Sequence, residues 1–345
     1  MKCSTKELRA AIAICAPLTR GCTSLHVLSM VRIESTGGTL TVRSTNLDCH
    51  IEARCAADGD LPAVCCSPLL LAAAAVGDGV DITHNGKSLV IDGDAQCEVS
   101  TISADEFPPP IGGKWAPWSI DCTALAEGIG AARAAQSTEQ ARYILCGVHV
   151  VSDGQRLVVE ASDGRRLHRT TSDCTAPKRK VIIPADYAEG IGIAARGASA
   201  QVFTSENGVR VEHESGSFTC KQLEGAFPNA DQAIPRESKC HVLVSGKSLL
   251  GLVRAAKAFT TEKFASIRIE FGSSIRVTAS APECGSYAAS LPIKCNGAVK
   301  IAVNPDYLGA ALRDGEMRID LIDEISPLKI TQGNFLGVIS PMRLS

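Results

Sequence analysis

The sequence predicts an α+β protein of three tandem repeats, each holding two helices and two small antiparallel sheets. Three observations carry that expectation. Phe107-Pro108 and Phe227-Pro228 recur 120 residues apart, and Val64, Val181 and Ile301 open equivalent short strands 117 and 120 apart. Asn46, Asp163 and Pro282 fall in comparable turns. Within each period, apolar residues alternate at strand spacing between Gly- and Asn-containing turns, and helical spacing takes over twice. A period near 120 is too long for a solenoid unit, so each repeat reads as a domain. The expected limits are residues 1–114, 115–235 and 236–345.

In the first repeat, Ser4 and Glu7 read as a capping box ahead of Leu8, Ile12 and Cys15, and Pro17 stops the helix. Strands follow over 25–34, 39–45, 49–56 and 62–66. Pro68 then opens an alanine-rich helix, as proline can at a first helical turn. Hairpin strands at 80–84, 88–92 and 96–102 are joined by Asn85-Gly86 and Asp92-Gly93. Phe107 to Gly113 closes the unit as a linker. The second repeat has a helix over about 122–136, strands at 145–152, 156–162 and 166–171, then 181–183, a helix from Pro184, and three further strands. The third has a helix over about 246–259, strands at 266–271, 274–280 and 286–292, then 299–303, a helix from Pro305, and strands to 339.

The 345 residues carry a formal charge of −2, which excludes a basic coat for nucleic acid, so any DNA contact must come from segregated charge. The apolar run 69–76 is too short to span a bilayer, and Met1-Lys2-Cys3-Ser4-Thr5-Lys6 has no signal-peptide core. The chain is expected to be cytoplasmic, with no membrane partner. Its fifteen cysteines form no Cys-x-x-Cys pair and read as buried free thiols; the vicinal Cys65-Cys66 is a redox candidate whose strand neighbours point to opposite faces. No metal or cofactor is expected. Lys2, Lys6 and Arg9 recur at helical spacing away from Leu8 and Ile12, and Lys247, Arg254 and Lys257 form a similar stripe opposite Leu249, Val253 and Ala256. Each stripe is either a solvated helix face or a surface for a polyanion. The intervening helix offers only Arg133.

Several segments, taken in order, resemble the bacterial sliding clamps, the beta subunits of DNA polymerase III. They are Ser44-Thr45-Asn46-Leu47-Asp48, Arg142 to Gly147, Ala161 to Leu167, Leu223 to Pro228, Thr261-Glu262-Lys263-Phe264, Val303 to Tyr307 and the closing Pro341-Met342-Arg343-Leu344. The resemblance covers the whole chain. It implies the DNA-clamp fold and a head-to-tail homodimer whose six domains close a ring, helices inside and sheets outside. It implies a processivity factor with no catalytic motif, encircling double-stranded DNA without sequence preference. It further implies binding to DNA polymerase III, clamp loader subunits and other proteins carrying a clamp-binding motif.

A pocket for such peptides would be walled by Leu145, Ser162, Gly164, Arg165, Arg166, Leu167 and Pro228. Its other side would be Phe264, Asn304, Tyr307, Leu328, Ile339, Pro341, Met342, Arg343 and Leu344. The DNA channel would draw on Lys2, Lys6, Arg9, Arg20, Arg133, Arg142, Tyr143, Lys247, Arg254 and Lys257. The sequence departs from the family where Cys22 takes an arginine position, where Ala185-Asp186 opens a helix in place of a basic pair, and where Ser340 and Ser345 bracket the tail. Two other classes stay open: a peptide scaffold that ignores DNA, and a thiol enzyme using one cysteine with a distant histidine.

Overall fold

Long-range strand pairing, rather than the helices, organises the chain. A computed structural model describes residues 1–20, 25–197, 199–262, 265–293 and 297–343. These fall into two compact units, residues 1–126 with 189–222 and residues 127–188 with 223–345.

The first unit is built on a twelve-stranded antiparallel sheet that runs from Lys2–Ser4 at one end to Ala116–Trp118 at the other. Cys49–Ala56 pairs with Gly216–Lys221, so strands from two different sequence repeats share one sheet. Helix α1, Thr5–Cys15, buries Leu8, Ala11, Ile12 and Cys15 and leaves Lys6 and Arg9 exposed. Fully burying a leucine or isoleucine contributes about 1.5–3 kcal/mol, so this one face is what holds the helix down. Helix α2, Pro68–Ala74, is capped by Ser67, whose hydroxyl accepts from the Leu70 amide. Cys65 and Cys66, on opposite faces of their strand, are both fully buried, and Cys65 packs with Val27, Leu28 and Phe107.

The second unit holds an eight-stranded and a four-stranded sheet, both antiparallel. In the larger one Arg166–Asp173 pairs with Phe335–Ile339, again joining two sequence repeats. Unit boundaries fall within helix α3, Cys122–Ala132, and helix α4, Ala185–Ala194. Helix α5, Gly246–Lys257, buries Leu249, Val253 and Ala256, as its spacing predicts, and is capped by Ser245. Helix α6, Pro305–Ala311, is capped by Asn304, whose side chain accepts from the Asp306 and Tyr307 amides. Both short helices begin on proline after a polar cap, the arrangement that satisfies first-turn amides at least cost.

Several expectations are corrected. Lys2 is not on α1: residues 2–4 are extended and pair with Gly79–His84, so the helical stripe is reduced to Lys6 and Arg9. Ser4 stands at the N-cap but makes no side-chain capping bond. Residues 26–29 form a 3-10 turn rather than strand, held by the Ser29 hydroxyl on the His26 carbonyl. Residues 140–145 likewise form a 3-10 segment, and the strand starts at Gly147. Just after the 107–113 linker lies a strand that the sequence did not mark, Ala116–Trp118, which pairs with Gln201–Thr204 and brings Trp118 into the core.

Candidate functional site

The turn after Ser162 is fixed by its own side chains. Asp163 Oδ1 accepts from the amides of Arg165 and Arg166, both at 2.9 Å, and Oδ2 accepts from Arg166 Nε at 3.0 Å. Ser162 donates to the Arg166 carbonyl at 2.7 Å and accepts from the Gly164 amide at 3.1 Å. Gly164 sits at φ +84, a left-handed conformation that glycine adopts without steric cost. The same turn positions Arg166, whose guanidinium lies 4.3 Å from the centre of the Tyr307 ring on α6.

The C-terminal tail is tied to this turn. The Ser340 amide donates to the Arg165 carbonyl at 2.8 Å, and the Met342 amide donates to the Ala302 carbonyl at 2.7 Å. Strand pairing sets Leu167 opposite Val338 and Arg166 opposite Ile339. An apolar cavity of about 180 Å³ opens beside these strands. Of the pocket candidates, Leu145, Ser162, Gly164, Arg165, Arg166, Leu167 and Pro228 line it. A second cavity of about 380 Å³ is lined by Arg165, Asn304, Tyr307, Pro341, Met342 and Arg343, with Ser340 common to both. Leu328 and Ile339 are buried in the core beneath and line neither. Phe264 and Leu344 lie outside the described residues.

Sequence reasoning missed Phe227, Asn229, Ala230, Ala233, Pro327 and Val338 as lining residues. Phe227 is held by stacking on His149, with centroids 4.7 Å apart, and His149 bonds Glu160 at 3.0 Å. Arg169 bridges Glu160 to Asp231, at 2.8 and 2.6 Å, and so ties the 230–233 turn to the sheet. Phe227 stood in a recognised motif; Val338 was findable only through its cross-strand pairing. An apolar slot with a few fixed polar groups suits a short linear peptide whose apolar side chains anchor it.

The basic candidates are spread over both units. Lys6, Arg9 and Arg20 are exposed on the first, and Arg9 Nε donates to the Ala72 carbonyl at 3.2 Å. On the second, Lys247, Arg254 and Lys257 are exposed along α5. Lys257 is paired with Asp306, which the sequence reading did not foresee. Arg133 lies in a 3-10 turn beyond α3. Arg142 donates to the Asp163 carbonyl at 3.3 Å and Tyr143 to the Glu224 carbonyl at 3.1 Å, so both sit against the segments that frame the apolar cavity.

The described cysteines are free thiols. Burial pushes Cys15 and Cys66 up to about 12 and Cys3, Cys55 and Cys65 up to about 11, the opposite of what an activated nucleophile needs. His168 is fully buried, with Nδ1 at 3.1 Å from the Ala131 carbonyl. Among the described residues no group of three acidic, histidine or cysteine side chains could hold a metal, and no helix is long and apolar enough to cross a membrane.

Residues 119–229 match the family model of the DNA polymerase III beta subunit, central domain. The beta sliding clamp of Chlamydia muridarum is 24% identical over 339 residues, covering 93% of each chain. That of Synechococcus elongatus is 27% identical over 262 residues, covering 69% of this chain and 68% of that protein. Among solved structures, a Pseudomonas aeruginosa sliding clamp bound to griselimycin superposes with a TM-score of 0.93 at 22% identity, over 100% of this chain and 99% of that one. The Thermotoga maritima DNA polymerase III beta subunit gives 0.89 at 20% identity, over 100% and 99%.

Proposed function

We propose that the chain is a member of the bacterial DNA polymerase III beta subunits, the sliding clamps, and acts as a DNA sliding clamp. Two copies close head to tail into a ring around duplex DNA and tether the replicative polymerase and other factors for processive synthesis. The observation that carries this reading is the correspondence of fold with solved clamps over the whole length of the chain. The working domains in this reading are residues 1–114, 115–235 and 236–345. The protein acts in the cytoplasm and performs no chemistry of its own.

The peptide site is the pair of cavities around Arg165, Arg166, Leu167 and the 340–343 tail. Polymerase III, clamp loader subunits and other proteins with a clamp-binding motif insert an apolar anchor there. DNA is met by Lys6 and Arg9 on α1 and by Lys247 and Arg254 on α5, with Arg20, Arg133, Arg142 and Tyr143 as further contacts. Sparse contacts suit a ring: topological closure supplies residence, and dense phosphate pairing would add salt-dependent affinity that slows sliding. A peptide scaffold that ignores DNA is the second reading, favoured by the pairing of Lys257 with Asp306.

One pair of variants separates the two. Lys247→Glu with Arg254→Glu is expected to cut retention on nicked circular DNA about tenfold at moderate salt, leaving motif-peptide affinity unchanged. Arg166→Ala is expected to do the reverse, weakening the peptide about tenfold, or about 1.4 kcal/mol. Retention unchanged by the charge reversal removes the α5 channel assignment; peptide affinity unchanged by Arg166→Ala removes the pocket assignment.

A further inference from the structure

The apolar slot has a charged counterpart in the first unit. His50 faces Thr219 across the Cys49–Ala56 and Gly216–Lys221 ladder, just as Leu167 faces Val338 in the second unit. His50 and Leu167 are 117 residues apart, Thr219 and Val338 are 119 apart, and each pair lies near a Phe-Pro. Beside the His50–Thr219 pair is a cavity of about 340 Å³, at the small end of the range for small-molecule sites. One side is Phe107, the three prolines 108–110 and Ile111. The other side is Arg32, Arg43, Arg210, His50 and Glu52, with the hydroxyls of Ser217 and Thr219.

Three of these side chains have unmet hydrogen-bonding capacity. Arg32 Nε, Arg210 Nε and His50 Nδ1 are buried without a partner, and His50 is only 6% exposed. Buried polar groups of this kind are met in folded proteins by water, an ion or a ligand. Glutamates already occupy part of the site. Arg43 is paired with Glu34 and Glu52, Arg32 Nη2 with Glu34 at 2.9 Å, and Arg210 with Glu212. Three lining arginines still face one lining glutamate. Beyond the effect of burial, Glu52 favours protonation of His50, and the charges of Arg43, Arg210 and Arg32 each disfavour it.

We propose that this cavity binds a small molecule carrying a phosphate or carboxylate group. The oxyanion takes hydrogen bonds from the guanidinium groups of Arg32 and Arg210 and from the Thr219 hydroxyl, and its apolar body packs under Phe107 and the prolines. Guanidinium donors suit both oxyanions because each presents paired acceptors. The slot in the second unit, with Leu167 and Val338 at the matching places, has no such donors in its cross-strand pair and takes an apolar group instead.

The test is calorimetric titration of the full-length protein in chloride buffer, with inorganic phosphate in one arm and benzoate in the other. Saturable binding of one ion per chain is expected, with a dissociation constant of about 1 mM or tighter. Saturation by phosphate alone identifies a phosphoryl ligand; tighter binding of benzoate identifies a carboxylate with an apolar body. Arg210→Gln is expected to weaken the bound probe at least tenfold. Thr219→Val, which keeps the volume and removes only the hydroxyl, is expected to weaken it about threefold and guards against a misfolded arginine variant. Saturation by neither probe overturns the proposal, as does binding that both variants leave intact.

Discussion

His50 faces Thr219 at one junction between sequence repeats, and Leu167 faces Val338 at the other, in the same register. The two ladders even close on the same backbone bond: Lys221 N to the Asp48 carbonyl in the first, Ser340 N to the Arg165 carbonyl in the second, each 2.8 Å. Their turns match as well. Asn46 accepts from the Asp48 and Cys49 amides as Asp163 accepts from those of Arg165 and Arg166. Backbone geometry is therefore held by the repeat, and chemistry is set by which side chains occupy its fixed places. At the matched cross-strand pair the first junction has His50 and Thr219 where the second has Leu167 and Val338, and the second has the chain's own tail tied across it.

The comparison breaks most sharply at the far end of the ladders. Gly216 stands where the second junction has Phe335. At φ +145, a Cβ on Gly216 would lie 1.9 Å from the Glu52 carbonyl oxygen. Gly216→Ala is expected to cost about 3 kcal/mol or more, measured by urea unfolding, because the obstructing atom is backbone and cannot swing aside. A cost under about 1 kcal/mol would show that the first junction is not as rigid as its register implies.

Acid comes next. Burial lowers His168 to about 4, and burial with the neighbouring arginines lowers His50 to about 4 as well. Between roughly pH 6.5 and 4 the unfolded chain takes up a proton that the native histidine refuses, so stability falls as pH drops through that window and levels off below it. Each histidine accounts for about 2–3 kcal/mol of that loss. Unfolding free energies at pH 7 and pH 4.5 are expected to converge in His168→Gln relative to the parent. An undiminished difference would assign the acid sensitivity elsewhere.

The smallest effect lies in the turns. Leu47 has φ +76, where the second junction has Gly164 at φ +84. A left-handed leucine is unfavourable by about 1–2 kcal/mol, and glycine loses some of that gain to unfolded-state entropy. Leu47→Gly is therefore expected to stabilise the protein by about 1 kcal/mol, read from the midpoint of urea unfolding.

Much of this was legible in the sequence because it is local. Turn residues, helix faces and the 117- to 120-residue spacing mark the elements, and the 162–167 turn stood out through its own side chains. The family resemblance named Ser162 and Gly164 to Leu167 as one wall of a pocket, and these residues line the apolar cavity. The pairing of strands from different repeats leaves no local mark, so Val338 and the twelve-stranded sheet were out of reach. Arg32, Arg43 and Glu52 alternate with apolar residues and read as an ordinary wet strand face; only the linker folded over them makes a cavity. Lys2 was misplaced because helical spacing continues through a residue that backbone pairing holds in a strand.

The most direct measurement is retention of the protein on DNA of different topology. After loading onto a nicked circle, the protein is expected to stay bound through gel filtration and to be lost when a single restriction cut linearises that circle. Equal retention on circular and linear DNA, or none on either after loading, would contradict the account of an encircling ring.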